Sequence, residues 1–155
     1  MTAVETPSML TVQVPGDETS PTGTVLASYN ATLGRYAAAS VFVEHPFAEV
    51  RSSVLRRTPV RRILAEGLRP QLLEANPALG RDRAVKAWAA GKNGRKPAAK
   101  QVASPDAAHL ASAAAVLSLE RAVGGFPVRA VERAFGIERA DAARWVRLVR
   151  KEGLA

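Results

Sequence analysis

The residues best placed to do chemistry are cations. Between positions 139 and 151 stand Arg139, Arg144, Arg147, Arg150 and Lys151, interleaved with Ala140, Ala142 and Ala143. On a helix turning about 100° per residue, Ala142, Trp145, Val146 and Val149 fall in one inward arc. Arg139, Ala140, Ala143, Arg144, Arg147, Arg150 and Lys151 share the neighbouring and opposite arc with no acid among them, and the acids Glu138, Asp141 and Glu152 gather on a third side. The helix dipole favours acids early and bases late along the axis, but it does not separate them around it. Arginines that reach base edges and phosphates, set among alanines that let the backbone come close, suit a helix lying in the DNA major groove. Trp145 lies on the inward arc, which makes it a core side chain rather than a base-stacking one.

Other chemistries have little to work with. The chain has no cysteine, which removes disulfides, thiolate chemistry and most structural zinc sites. Its two histidines, His45 and His109, stand at no metal-ligand spacing and read as surface or partly buried side chains. Gly91-Lys92 would need a glycine at position 86 to make a phosphate-binding loop, and Lys86 stands there. With no nucleophile–base pair, metal cluster or phosphate loop, neither enzymatic activity nor a cofactor nor a metal is expected.

The distribution of charge points the same way as the arginines. Residues 1–80 carry seven Arg and seven Asp or Glu, whereas residues 81–155 carry fifteen Lys or Arg and seven acids. The whole net charge of +8 therefore lies in the second half. A neutral half joined to a basic one suggests a module with another task, tethered to one that meets a polyanion. Double-stranded DNA is the favoured partner. A membrane surface fits less well, because no segment pairs a basic face with a broad stripe of bulky apolar residues. No long apolar run and no signal-like N-terminus is present, so a cytoplasmic, nucleoid-associated protein is expected.

The elements that must position the cations follow from local patterns. Met9 to Val14, Thr24 to Tyr29 and Arg35 to Glu44 alternate as strands separated by turn-length connections, which predicts an antiparallel meander. Thr58-Pro59 reads as a helix start, with Thr58 as N-cap and Pro59 in the first helical position. Val60, Ile63, Leu64, Gly67 and Leu68 then form one stripe, which Pro70 is expected to interrupt before Leu72-Leu73. Arg56, Arg57, Arg61 and Arg62 cluster at the start of that helix, where its dipole disfavours cations, so they answer either solvent or an acidic group or phosphate. A short helix over 81–90 carries Trp88, and 91–103 has a linker composition. Ser104 is expected to cap a helix with Pro105 at its first position and Asp106 in its first turn. Ala107, Leu110, Ala111, Ala114, Leu117 and Ala122 supply that helix's apolar side, and Gly124-Gly125 ends it. Pro127 opens a second helix with Val131, Ala134 and Phe135 inward. Gly136 stops it, and a third spans 137–151 before the Gly153 cap.

Two helices meeting across a tight turn at a glycine give the geometry that DNA-reading motifs need. Here the corner is Gly136-Ile137, with Val131 and Phe135 before it and Ala142, Trp145 and Val146 after it. The run Ala134-Phe135-Gly136-Ile137-Glu138-Arg139-Ala140-Asp141-Ala142-Ala143-Arg144-Trp145-Val146 resembles the helix-turn-helix of bacterial transcriptional regulators. Together with Val149-Arg150-Lys151-Glu152-Gly153-Leu154, it is most similar to small actinobacterial and phage proteins that end in such a motif. Val54-Leu55-Arg56-Arg57-Thr58-Pro59 resembles an upstream stretch of those proteins. Two departures stand out. Glu132 occupies the place of the small residue that lets the helices approach, and Glu138 replaces the usual Ser or Thr cap.

The expected architecture is α+β. A small antiparallel sheet with one covering helix occupies 1–80, a short helix and basic linker 81–103, and an all-α three-helix helix-turn-helix domain 104–155. The expected function is sequence-specific DNA binding in transcriptional regulation, with the helix 137–151 in the major groove. Lys92, Arg95, Lys96 and Lys100 of the linker would lie on phosphates. One such unit seldom binds with enough affinity alone, so a homodimer is expected through the N-terminal module. It would use either a sheet edge or the stripe Val60, Ile63, Leu64, Leu68. The alternative is an interaction adaptor, of phage origin, whose basic helical domain docks an acidic protein.

Overall fold

Alternating apolar residues with turn-forming connections build a sheet here, as the sequence predicts. The computed structural model describes residues 4–14, 22–44, 50, 52, 56, 59–91 and 104–154. Strands β1 (Met9–Val14), β2 (Thr22–Asn30) and β3 (Arg35–Glu44) pair antiparallel in the order β1-β2-β3. Val12 stands opposite Val25, and Val25 opposite Val41. A register shift between Leu26 and Ala27 skips Ala39 on β3 and bends that strand. Alternation turns Val12, Val25, Ala27 and Tyr36 into the core. The Tyr36 hydroxyl donates to the Pro7 carbonyl at 2.6 Å. Burial, and then the neighbouring Tyr29, push the Tyr36 pKa up to about 12, so it remains a donor throughout the neutral range.

Helix α1 (Val60–Ala75) covers this sheet with Leu64, Leu68 and Leu72. These three follow the four-residue spacing that aligns side chains on one face. Gly67 makes the close approach possible, because a methyl there would overlap the Val12 side chain. Pro70 does not interrupt the helix, contrary to the sequence expectation. It lies exposed within a continuous α1, with Leu68 and Leu72 on either side fully buried. An interior proline costs about 3 kcal/mol. Burying three leucines stabilises by about 1.5–3 kcal/mol each, so packing wins. At the start of the helix Pro59 is itself the cap residue rather than the first helical one, and Thr58 lies outside the described residues. At its end the Asn76 amide donates to the Leu72 and Glu5 carbonyls and accepts from the Glu5 N–H, tying the N-terminal segment to the helix.

The helical layer contains α2 (Arg83–Ala89), α3 (Ala107–Ala122), α4 (Pro127–Phe135) and α5 (Arg139–Lys151). Asp82 caps α2 through the N–H groups of Ala84 and Val85. The cap of α3 is Asp106, not Ser104, because its carboxylate takes the His109 N–H at 2.8 Å. Ala107 and Ala111 are exposed rather than on the buried side. The inward face instead adds Ala113, Val116 and Leu119, and it includes the acid Glu120. Gly124-Gly125 ends α3 as expected, and α5 starts at Arg139 rather than Ile137. The N–H groups of Gly153 and Leu154 close α5 onto the Arg150 and Val149 carbonyls.

One hydrophobic core runs from the sheet through α1 into the helical layer. The short helix α2 packs against α1, α3 and α4, so its Trp88 fills a space between the two halves. Most of the basic linker, residues 92–103, lies outside the described residues, and the phosphate-contacting candidates Lys92, Arg95, Lys96 and Lys100 lie there with it. Among the described residues no helix is long and apolar enough to cross a membrane, and no His, Asp and Glu group could hold a metal ion.

Candidate nucleic-acid interface

The C-terminal corner is built by backbone preference and then locked by packing. Pro127 occupies the first turn of α4, where its missing N–H costs nothing. Gly136 ends α4 at φ 63° and ψ 32°, a left-handed conformation that a side chain would strain. Ile137 fills the corner as a half-buried side chain against the core. Beyond it, Ala142, Trp145, Val146 and Val149 of α5 are buried, the four residues that the helical pattern assigns inward. The Trp145 ring meets Phe135 of α4 at 5.0 Å and His109 of α3 at 5.6 Å, both edge-on, so three helices converge on one indole. His109 is held in place by Asp106, whose carboxylate lies 2.7 Å from Nδ1. Hydrogen bonds from the His109 backbone and ring keep the Asp106 carboxyl below its usual range.

With that arc buried, the cations face out. Arg139, Ala140, Arg144, Arg147, Arg150 and Lys151 are exposed and Ala143 is half-buried. On the helical projection these seven occupy a contiguous arc of about 140°. No acid interrupts it, since Asp141 and Glu138 lie beyond its edges. Arg147 Nε donates to the Ala143 carbonyl at 3.4 Å, a long bond that leaves most of the guanidinium's donors available. Arg150 also shares a cleft with Arg35, Arg61 and Arg121, which come from the sheet, α1 and α3. Arg35 and Arg121 carry no local pattern that would place them at the site, because their approach to α5 depends on tertiary packing. Glu132 is accommodated half-buried on α4, whose ring contact with α5 is made by Phe135 against Trp145.

Glu138 stands at the N-cap of α5 without making a side-chain cap bond. Short caps such as Ser reach the N2 or N3 donors, whereas the longer glutamate does not fold back to them here. Replacing it gives a direct test. Glu138→Ser should stabilise the protein by about 1 kcal/mol in urea denaturation, because a free N–H gains an acceptor. No change in the denaturation midpoint would mean that water already satisfies those donors equally well.

The start of α4 is set by a residue that no local pattern marks. Glu120 of α3 is 3% exposed. Its carboxylate accepts from the Phe126 N–H at 3.0 Å, from Trp88 Nε1 at 2.6 Å and from Arg69 at 3.1 Å. One carboxylate thus joins α1, α2, α3 and the turn that launches α4. No family model, curated protein or solved structure matches the chain, so the functional case stands on this geometry.

Proposed function

We propose that this protein binds double-stranded DNA through α5 and acts as a sequence-specific transcriptional regulator of the helix-turn-helix type. One observation carries the reading: α5 follows a left-handed glycine corner, buries one arc around Trp145, and turns an acid-free arc of arginines and alanines to solvent. Arg139, Arg144 and Arg147, with Ala143 between them, are the base-reading candidates, because a guanidinium fork matches the two acceptors of guanine. Arg150 and Lys151, near the end of α5, are phosphate-contacting candidates, and Arg121 and Arg35 extend their charge across the neighbouring cleft.

The homodimer belongs to the same proposal, with β3 as its seam. The stripe of α1 is largely used inside the protomer, since Leu64 and Leu68 are buried and Val60 and Ile63 are partly buried against the same core. At the other end of the sheet, β3 is an edge strand with exposed Val41 and Phe42. An edge strand presents unpaired backbone groups that a second copy can complete.

Selection of bound sequences from a random duplex pool tests the function. The expected result is enrichment of a single site, or two half-sites about one helical turn apart if the dimer binds. Recovery of unenriched sequence, or no recovery in low salt, would overturn the reading.

A further inference from the structure

A second cleft, of about 830 Å3, opens between α1, α2, the turn after α3 and α4. That volume falls within the range of small-molecule sites, roughly 300–1,000 Å3. Arg61, Arg62, Arg69, Arg129 and Arg133 line it, with Trp88 as part of its wall and Phe126, 62% exposed, at its edge. Among the described residues two acids line it, and both are engaged. Glu66 is held by Arg62 at 2.9 Å, and Glu120 by Arg69, Trp88 and the Phe126 N–H.

The arginines are left with an excess of donors. Arg129 and Arg133 have no hydrogen-bond or ion-pair partner among the described residues. Arg69 is buried, and its Nε has no partner among the described residues. Arg61 donates to the Gly124 carbonyl and lies over the Phe126 ring, 5.5 Å from its centre, which fixes it at the rim. Burial, and then the repulsion of Arg129 and Arg69, hold the Arg133 pKa below its usual value despite Glu120 and Glu132 nearby. Five cations beside two acids that are already engaged leave an uncompensated positive charge in the cleft, and an oxyanion would relieve that cost. DNA phosphates are a weaker explanation, because the cleft is concave and draws three arginines from α1 rather than from the helix-turn-helix.

From this geometry we infer that the cleft is a binding site for a small multiply charged oxyanion, held by Arg129 and Arg133 against Arg61, with an apolar part resting on Phe126. The inference does not depend on DNA binding. Phosphate and carboxylate ligands share the required chemistry, so the test carries both.

The full-length chain is titrated calorimetrically with inorganic pyrophosphate, with citrate and with adenosine diphosphate. At least one should bind with one-to-one stoichiometry and alter the emission of Trp88. Pyrophosphate or the diphosphate alone would assign a phosphorylated ligand, and citrate alone a polycarboxylate. Arg129→Gln and Arg133→Gln should each weaken binding about tenfold, the loss expected for a charge-assisted hydrogen bond. Arg133→Lys should fall between, since it keeps the charge and loses the fork. Arg81→Gln and Lys86→Gln remove charge outside the cleft and should change affinity less than twofold, about the effect of a screened surface charge. Thermal melts of each variant confirm folding, which these exposed or half-buried, unpartnered side chains should not disturb. Absence of binding by all three probes would overturn the site, as would equal losses in the outer variants. So would a proportionate loss of duplex affinity in Arg129→Gln and Arg133→Gln, which would assign the cleft to a DNA backbone.

Discussion

Trp145→Ala is expected to unfold the helical layer and abolish binding to every duplex alike. The indole is 1% exposed and fills the space where α3, α4 and α5 meet, in edge contact with Phe135 and His109. Truncating a buried tryptophan costs about 3–5 kcal/mol, through lost burial and the cavity left behind. Small domains have only about 5–15 kcal/mol in total, so much of the stability would go. Urea denaturation followed by circular dichroism measures the loss. Trp145→Phe should retain most of the stability, because an aromatic ring still meets Phe135. A base-stacking tryptophan would behave otherwise: the alanine variant would keep its stability and lose only affinity.

Glu120→Leu carries the second large effect. The carboxylate is the shared acceptor for Arg69, Trp88 Nε1 and the Phe126 N–H. Removing it leaves a buried guanidinium unpaired, which costs about 3–5 kcal/mol. Two further donors lose their acceptor, each at about 1–3 kcal/mol, although relaxation recovers part of that sum. The pair as a whole is worth less than either break suggests, because both charges were taken out of water to form it. Arg69→Met combined with Glu120→Leu should therefore be more stable than Glu120→Leu alone. A double variant less stable than the single would show that Arg69 contributes mainly through contacts other than this ion pair.

What the sequence revealed and what it hid divide along the range of the interactions. The meander was legible because alternation places Val12, Val25 and Ala27 on one face with no outside information. The inward and outward arcs of α5 were legible for the same reason, as its residues sort by angle alone. Errors came where two local rules competed. Proline was expected to break α1, but the burial of Leu64, Leu68 and Leu72 against the sheet outweighs the lost hydrogen bond. Ser104 and Asp106 are both good caps, and the His109 contact favours the second. The Glu120 cluster could not be read at all. Its partners Arg69 and Trp88 lie 51 and 32 residues away, and an isolated acid in a helix pattern reads as solvated. The arginines of the second cleft were visible as a cluster at the start of α1, but their company with Arg129 and Arg133 depends on how α1 and α4 meet.

The central claim is that the outward arc of α5 reads DNA. Fluorescence anisotropy of a labelled duplex carrying the selected site, at two salt concentrations, tests it most directly. Arg144→Ala should cost about 1–3 kcal/mol on that site and much less on unrelated duplex, because it removes a base contact. Lys151→Ala should weaken both duplexes equally and reduce the salt slope by about one, as expected for a phosphate contact. The combined Arg139→Ala, Arg144→Ala, Arg147→Ala variant should lose sequence preference altogether while keeping its helical content. If that triple variant stays folded and binds the selected duplex as tightly as the unsubstituted protein, α5 does not read DNA.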